Sequence, residues 1–354
     1  YGKEYRQLAI QLEKINWSIN RKKFFYMIGF LTIGANLATL KLNDLAASDK
    51  FEVINGQATG IATKLIFFSR LIYIPYSYFI IRLIKKNNIK NLLLLVLSSF
   101  SQVSRVILKG RRSPLAALSF PTLIILFFRK RWTVPRFFIP LIILLPLVII
   151  PGLATLRFDF WRLLFSGQLS ISYLAQLVKA YFLENYPYDL LNSVNIISLS
   201  LKEAYVGFGS GFWNDLVFNF VPAQFVGKSF KESLYINISP LSYLRPRELS
   251  DYFDVKFGTT ITGLGSTFVE FSFFGCFFYY FQARLMRTIW NAALMGNEIA
   301  QILYSYLTMP LLIGVTHNFS RFINSLVIGC LTLWILARVS RLSNIRSYFN
   351  YDVM

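Results

Sequence analysis

Residues 322–338 read FINSLVIGCLTLWILAR, a largely apolar run of 17 residues that ends in arginine. A helix that crosses the hydrocarbon core of a bilayer needs roughly 17–25 predominantly apolar residues. The run therefore predicts a transmembrane helix. Further basic residues follow it at Arg341 and Arg346. An excess of lysine and arginine marks the cytoplasmic end of a span, so this helix is predicted to end in the cytoplasm.

The whole chain has the composition of a membrane protein. Its 354 residues are 55% hydrophobic and only 15% charged, and the mean hydropathy is +0.49. These values lie outside the range of soluble globular proteins. The net charge of +20 sits mostly in short clusters between apolar runs, and no soluble basic domain for a nucleic-acid partner is visible. The chain begins at Tyr1 rather than Met, so we expect N-terminal sequence, with any further spans, to be missing.

About eight segments have the length and composition of a membrane span, at roughly 24–40, 61–81, 91–108, 113–128, 136–153, 261–283, 298–316 and 322–338. We therefore predict an all-α fold, a polytopic transmembrane helical bundle. Its predicted parts are N-terminal transmembrane helices (1–153), a large external loop (154–260), three C-terminal transmembrane helices (261–338) and a cytoplasmic tail (339–354).

Basic clusters occupy alternate connections, and the positive-inside rule places those connections in the cytoplasm. The clusters are Arg21/Lys22/Lys23, Arg82/Lys85/Lys86/Lys90, Arg129/Lys130/Arg131/Arg136, Arg284/Arg287 and Arg338/Arg341/Arg346. The connections 41–60, 109–112, 154–260 and 317–321 are then external, and of these only the turn 109–112 is strongly basic. Residues 154–257 hold nine Lys/Arg and nine Asp/Glu together with many aromatic residues. Because structureless loops of that length are rare, we expect short amphipathic helices resting on the membrane.

Several cations lie where the topology rule disfavours them. KGRRSP (109–114) places Arg111 and Arg112 in an external turn, THNFSR (316–321) adds His317 and Arg321, and Arg70 lies inside a span. Each is a functional candidate, because intramembrane and external basic residues are costly or rare. Guanidinium groups suit bidentate recognition of phosphate, so together they suggest a phosphorylated lipid ligand. Plainer roles stay open: pairing of Arg70 with Glu270, or an ordinary interfacial histidine at 317.

The stretch GTTITGLGSTFVEFSFFG (258–275) contains Glu270, with no opposite charge within ten residues on either side. A buried carboxylate is paired or protonated. By position we expect its companion to be one of the cations Arg70, Arg112, Arg321 or Lys228. The alternative is that Glu270 simply neutralises a buried arginine. One histidine and two cysteines in apolar runs, Cys276 and Cys330, cannot build a metal site, so we expect no metal or other cofactor.

Three short motifs resemble one family, the Wzy-type polymerases of bacterial O-antigen and exopolysaccharide repeat units, which are related to the O-antigen ligases. GRRSPLAAL (110–118) is similar to that family's turn between two spans. FVPAQFVGKSF (220–230) matches a second segment at Pro222 and Lys228 but departs from it at Ala223 and Ser229. GSTFVEFSFFG (265–275) matches a third at Ser266, Glu270 and Gly275, with Ser272 where glycine is usual.

The resemblance implies an enzyme of the bacterial inner membrane whose active site faces the periplasm. Its substrates would be undecaprenyl-diphosphate-linked oligosaccharides, and a hydroxyl of the acceptor would displace the donor's diphosphate. Glu270, Arg112 and His317 would be catalytic, and Arg70, Arg111, Lys228, Arg245, Arg247 and Arg321 would bind substrate. Expected partners are membrane lipids and the pathway's flippase and chain-length regulator. The alternatives are an O-antigen ligase that transfers to lipid A core, and a transporter of lipid-linked oligosaccharide, which the absence of internal repeats disfavours.

Overall fold

The structure is a computed structural model of the chain. It describes residues 20–47, 53–54, 57–58, 61–133, 135–138, 140, 144, 149, 152, 156, 159–184, 188–202, 204–221, 223–236 and 262–349.

Five helices make up the described N-terminal part: α1 (Arg21–Ala47), α2 (Ile61–Arg70), α3 (Tyr73–Lys85), α4 (Ile89–Lys109) and α5 (Arg112–Lys130). A two-residue antiparallel pair, β1 (Val53–Ile54) with β2 (Gln57–Ala58), lies between α1 and α2. The side chain of Asn88 caps α4 by accepting a hydrogen bond from the Asn91 amide at 2.9 Å. Gly110, with φ of +57°, ends α4 in the left-handed conformation that favours glycine. The predicted turn at 109–112 therefore joins two antiparallel helices.

Short helices fill the described part of residues 154–260. They are α6 (Asp159–Phe165), α7 (Ile171–Glu184), α8 (Tyr188–Lys202), α9 (Ser210–Phe220), α10 (Ala223–Val226) and α11 (Lys228–Ser233). The last described group is α12 (Thr262–Phe271), α13 (Cys276–Leu294), α14 (Glu298–Thr316) and α15 (Ser320–Phe349), with a 3-10 turn over Ser272–Gly275.

Six of the described helical segments are long and apolar enough to cross a membrane. They confirm the predicted all-α, multi-pass membrane fold. Two predicted spans differ in detail. The span 61–81 contains a turn at Leu71–Ile72, and the span 261–283 is divided at Ser272, whose φ of +51° leaves the α-helical region. The predicted span 136–153 lies mostly outside the described residues.

Helix α14 is the centre of the bundle, because it packs against α3, α5, α12, α13 and α15. Tyr306 and Leu307, in the middle of α14, are fully or almost fully buried. The backbone of α15 approaches α14 closely at Gly329, where a Cβ would lie 2.6 Å from the Tyr306 ring. Glycine is therefore required there by the close approach.

One end of the bundle is held together by Glu298 at the start of α14. Its carboxylate forms ion pairs with Lys85 of α3 and Arg129 of α5, the latter at 3.6 Å. Arg131 donates a hydrogen bond to the carbonyl of Leu294, at the end of α13, at 3.3 Å. The predicted cytoplasmic clusters around Arg82 and Arg129 thus meet at this end. Helices α6, α8 and α9 contact the opposite end of the bundle, at Val106, Thr262 and Asn324, and we call that end the loop side.

This division predicts the result of cysteine labelling. In a background with Cys276→Ser and Cys330→Ser, single cysteines at the exposed positions Arg111 and Ser229 should react with a membrane-impermeant thiol reagent in intact cells. Cysteines at Lys86 and Met295, also exposed, should react only after permeabilisation. Labelling of Lys86→Cys but not Arg111→Cys in intact cells would invert the topology.

Candidate functional site

Small residues at the start of α12 bring it close to its neighbouring helices. Gly263 lies against the carbonyl of Gly314 on α14, and a Cβ at Gly265 would lie 3.3 Å from the Cα of Ser193 on α8. The hydroxyl of Thr262 hydrogen-bonds that of Ser193, and that of Ser266 donates to the Gly263 carbonyl at 2.9 Å. The Gly/Thr/Ser residues at the start of α12 are thus used for helix packing.

Glu270 is buried in α12, and its partner is the backbone of another helix. The carboxylate oxygen Oε2 accepts a hydrogen bond from the amide of Gly211 at 3.1 Å. Gly211 belongs to the first turn of α9, whose N-cap residue, Gly209, has no capping side chain. A helix N-terminus carries unpaired amides and a partial positive charge. The carboxylate accepts a hydrogen bond from one of these amides, and its negative charge offsets the positive one.

The segment AYVGFGSGFW (204–213) wraps around the Glu270 carboxylate because glycine occupies alternate positions. A Cβ at Gly207 would lie 2.6 Å from Oε2, and one at Gly211 would overlap Oε1. Gly209 has φ of +81°, and the amide of Gly207 donates to the carbonyl of Val269 at 2.9 Å. Only a chain without side chains at these points lets backbone surround a carboxylate so closely.

The expected cationic companion of Glu270 is therefore replaced by backbone amides. Arg70, Arg112, Arg321 and Lys228 form no ion pair with it among the described residues. Burial of a carboxylate requires hydrogen bonds or a counter-charge, and here the amides of α9 provide the hydrogen bonds. Glu270 therefore helps to fasten α9 to the bundle, together with Phe212, which packs against Phe319 of the bundle.

Two predicted substrate-binding residues lie together on the loop side. Arg321, in the first turn of α15, is within electrostatic range of Arg70 at the end of α2 and of Asp215 on α9. Both arginine residues are partly open to solvent. Like charges held near each other attract an anion more strongly than either alone, because their potentials add.

A second pair of cations adjoins the first. Arg105, near the end of α4, is within electrostatic range of Arg111 and of Tyr73. Its Nη1 donates to Oε1 of Gln102 at 3.4 Å, and its buried Nε has no partner in the described part of the chain. Tyr306 links the pairs, since both Arg70 and Tyr73 lie within its electrostatic range. We call Arg70, Arg105, Arg111 and Arg321 the loop-side cations.

The other predicted site residues are more scattered. Arg112 is exposed at the first residue of α5. His317 caps the end of α14, and its Nδ1 lies 2.9 Å from the Thr316 hydroxyl. Lys228 is exposed on α11, where it pairs with Glu232 at 3.6 Å. Arg245 and Arg247 lie outside the described residues.

Sequence reasoning missed Asp215 and Asn324. The amide Nδ2 of Asn324 on α15 donates to Oδ2 of Asp215 on α9 at 2.9 Å, one turn from Arg321 in sequence. Sequence offered only one weak signal, a polar residue within the apolar run 322–338. Among the described residues no group of three His, Cys, Asp or Glu side chains could hold a metal ion.

Comparison of the chain with known family models, curated proteins and solved structures found no significant match.

The cap on α9 predicts a stability change for Glu270→Gln. Glutamine keeps the shape but loses the charge, and its amide nitrogen cannot accept a hydrogen bond, so the free energy of unfolding should fall by about 1–3 kcal/mol. The midpoint of thermal unfolding of the purified protein measures this. The control is Glu232→Gln, at an exposed carboxylate, which should leave the midpoint unchanged. Equal midpoints for Glu270→Gln and wild type would show that the cap contributes nothing.

Proposed function

We propose that this protein is a membrane glycosyltransferase that joins oligosaccharide repeat units carried on undecaprenyl diphosphate, a polymerase of the Wzy type. The observation that carries the proposal is the convergence of the loop-side cations at one end of a transmembrane bundle. Three of them come from different helices, α2, α4 and α15, and Arg111 comes from the turn before α5. Only the fold brings them together.

The charges at this end favour a diphosphate. In the described part of the chain, Asp215 is the one acid within electrostatic range of Arg321. Positive charges therefore outnumber negative ones around the loop-side cations. Arg111 and Arg112 begin α5, and no acid occupies its first turn. The helix N-terminus therefore adds its partial positive charge to theirs, which favours an anion.

The position in the membrane suits a lipid-linked ligand. Arg105, Arg111 and Arg321 lie at or near the ends of membrane-length helices, and Arg70 lies inside one. The diphosphate of a polyprenyl lipid sits near such ends while its chain remains in hydrocarbon. The external segment exposes aromatic side chains, including Phe208, Trp213 and Tyr173. Aromatic faces and polar rims of this kind suit sugar rings.

The proposed reaction needs charge stabilisation more than it needs a cofactor. The acceptor hydroxyl attacks the anomeric carbon of the donor, and the bond to the diphosphate breaks with its electron pair. Arginine donors already aimed at that diphosphate stabilise the charge as it develops. The motifs at 110–118, 220–230 and 265–275 add the resemblance to the Wzy type. The bacterial inner membrane, a periplasmic site and the pathway's flippase and chain-length regulator follow from it as parts of the same proposal.

Arg321 provides the direct test. Arg321→Lys keeps the charge but loses the bidentate fork, and Arg321→Ala loses both. We expect polymer synthesis to fall by about 100-fold to 1,000-fold in Arg321→Ala and strongly in Arg321→Lys, at normal protein abundance. Gel analysis of surface polysaccharide measures this. The matched control is Arg338→Ala, an exposed residue near the other end of the same membrane span, which should make normal polymer.

A deletion strain separates the polymerase from other functions. Lipid-linked single repeats should accumulate when the gene is removed. Long polymer that is left unattached would identify a ligase instead, and normal polymer would exclude both.

A further inference from the structure

Asp215 contacts a residue that is far from it in the sequence. It lies on α9, yet its carboxylate is bound by a residue 109 positions later, Asn324. Asn219, one turn further along α9, donates to Oδ1 at 3.3 Å. Arg321, one turn before Asn324, is within electrostatic range but forms no direct ion pair with Asp215. The carboxylate is thus held in place beside a cation that it does not neutralise by contact.

Asp215 retains the capacity to accept another hydrogen bond. A carboxylate has about four lone-pair sites, and Asn219 and Asn324 occupy two of them. The residue is only partly buried, so it is not closed off from a ligand. The unpaired Oδ1 of Asn324 is buried beside it.

Asp44 is exposed near the end of α1, and four other described carboxylates have named partners elsewhere. Glu270 accepts hydrogen bonds from the α9 amides, and Glu298 is paired at the opposite end of the bundle. Asp159 and Glu232 are exposed and paired with neighbours on their own helices. Asp215 is held by Asn324 and is within electrostatic range of Arg321, which places it to meet a substrate at the loop-side cations.

We propose that Asp215 is the catalytic base of the reaction, an inference that rests on the proposed function. Its carboxylate accepts the proton of the acceptor hydroxyl as the hydroxyl oxygen bonds to the anomeric carbon. The bond from that carbon to the diphosphate breaks, its electron pair leaves with the diphosphate beside Arg321, and the proton later passes from Asp215 to water. Asn219 and Asn324 hold the carboxylate towards the attacking group.

Helix α9 fixes where Asp215 stands. Its first turn is held by Glu270. Near its end, the ammonium of Lys231 donates to the carbonyl of Phe218 at 2.9 Å and lies 4.8 Å from the Phe218 ring. Asp215 lies one turn after Gly211, so it is positioned by the Glu270 cap without touching it.

The test is Asp215→Asn in the full-length protein. Asparagine has the same shape but is not a base, so polymer synthesis should fall by about 100-fold or more. Protein abundance and the midpoint of thermal unfolding should stay at the wild-type values. Binding of undecaprenyl diphosphate, followed by tryptophan fluorescence, should be retained or tightened, because a negative charge beside Arg321 is removed. Asp159→Asn, the same change at an exposed carboxylate on α6, is the control and should leave all of these measurements unchanged.

The outcomes separate this inference from the function on which it rests. If Asp215→Asn cells make as much polymer as wild-type cells, Asp215 is not the catalytic base. The proposal that the protein is a polymerase is unaffected by that result. A large drop in abundance or thermal midpoint assigns Asp215 to structure and also overturns it. Loss of polymer together with lost binding of undecaprenyl diphosphate places Asp215 in donor binding and contradicts catalysis. A gene deletion that leaves polymer normal removes both proposals.

Discussion

The contact between the Glu270 carboxylate and the first turn of α9 joins the external loop to the membrane bundle. Glu270 belongs to α12, which is packed against the central helix α14. Through the Gly211 amide it fixes a helix that would otherwise begin with unpaired amides and no capping side chain. Hydrogen bonds to a charged group contribute about 1.5–3 kcal/mol, and an unpaired buried carboxylate would be costly. Neither partner is well accommodated without the other.

The contact bears on the charged groups through Asp215, which lies one turn further along α9. Helix α9 carries Asp215, and its docking against α15 brings Asp215 to Asn324 and within range of Arg321. The turn before α5 and the ends of α2 and α4 supply the remaining loop-side cations. The opposite end gathers its charges around Glu298 instead. The two ends of the bundle thus differ in their charge pairing. At one end the cations form ion pairs with Glu298, and at the other the positive charge is available to a ligand.

The fold was largely predictable because membrane spans are local in sequence. A run such as 322–338 can be identified as a span from its own residues. The turn at 109–112 is likewise indicated by Gly110 between two apolar runs. The partner of Glu270 was not predictable in the same way, since backbone amides have no side-chain signature. The alternate glycines at 207, 209 and 211 were the available signal. Asp215 was missed because only packing brings it to a residue 109 positions away.

Hydrogen exchange of the α9 amides tests the central claim, that Glu270 holds this helix on the bundle, most directly. In Glu270→Gln, peptides covering Ser210–Phe220 should exchange faster than in the wild-type protein, because the charged acceptor for the first turn is lost. Peptides from the buried middle of α14 (Glu298–Thr316) should exchange at the wild-type rate in the same sample. Unchanged protection of Ser210–Phe220 would contradict the account, since α9 would then be held by other contacts.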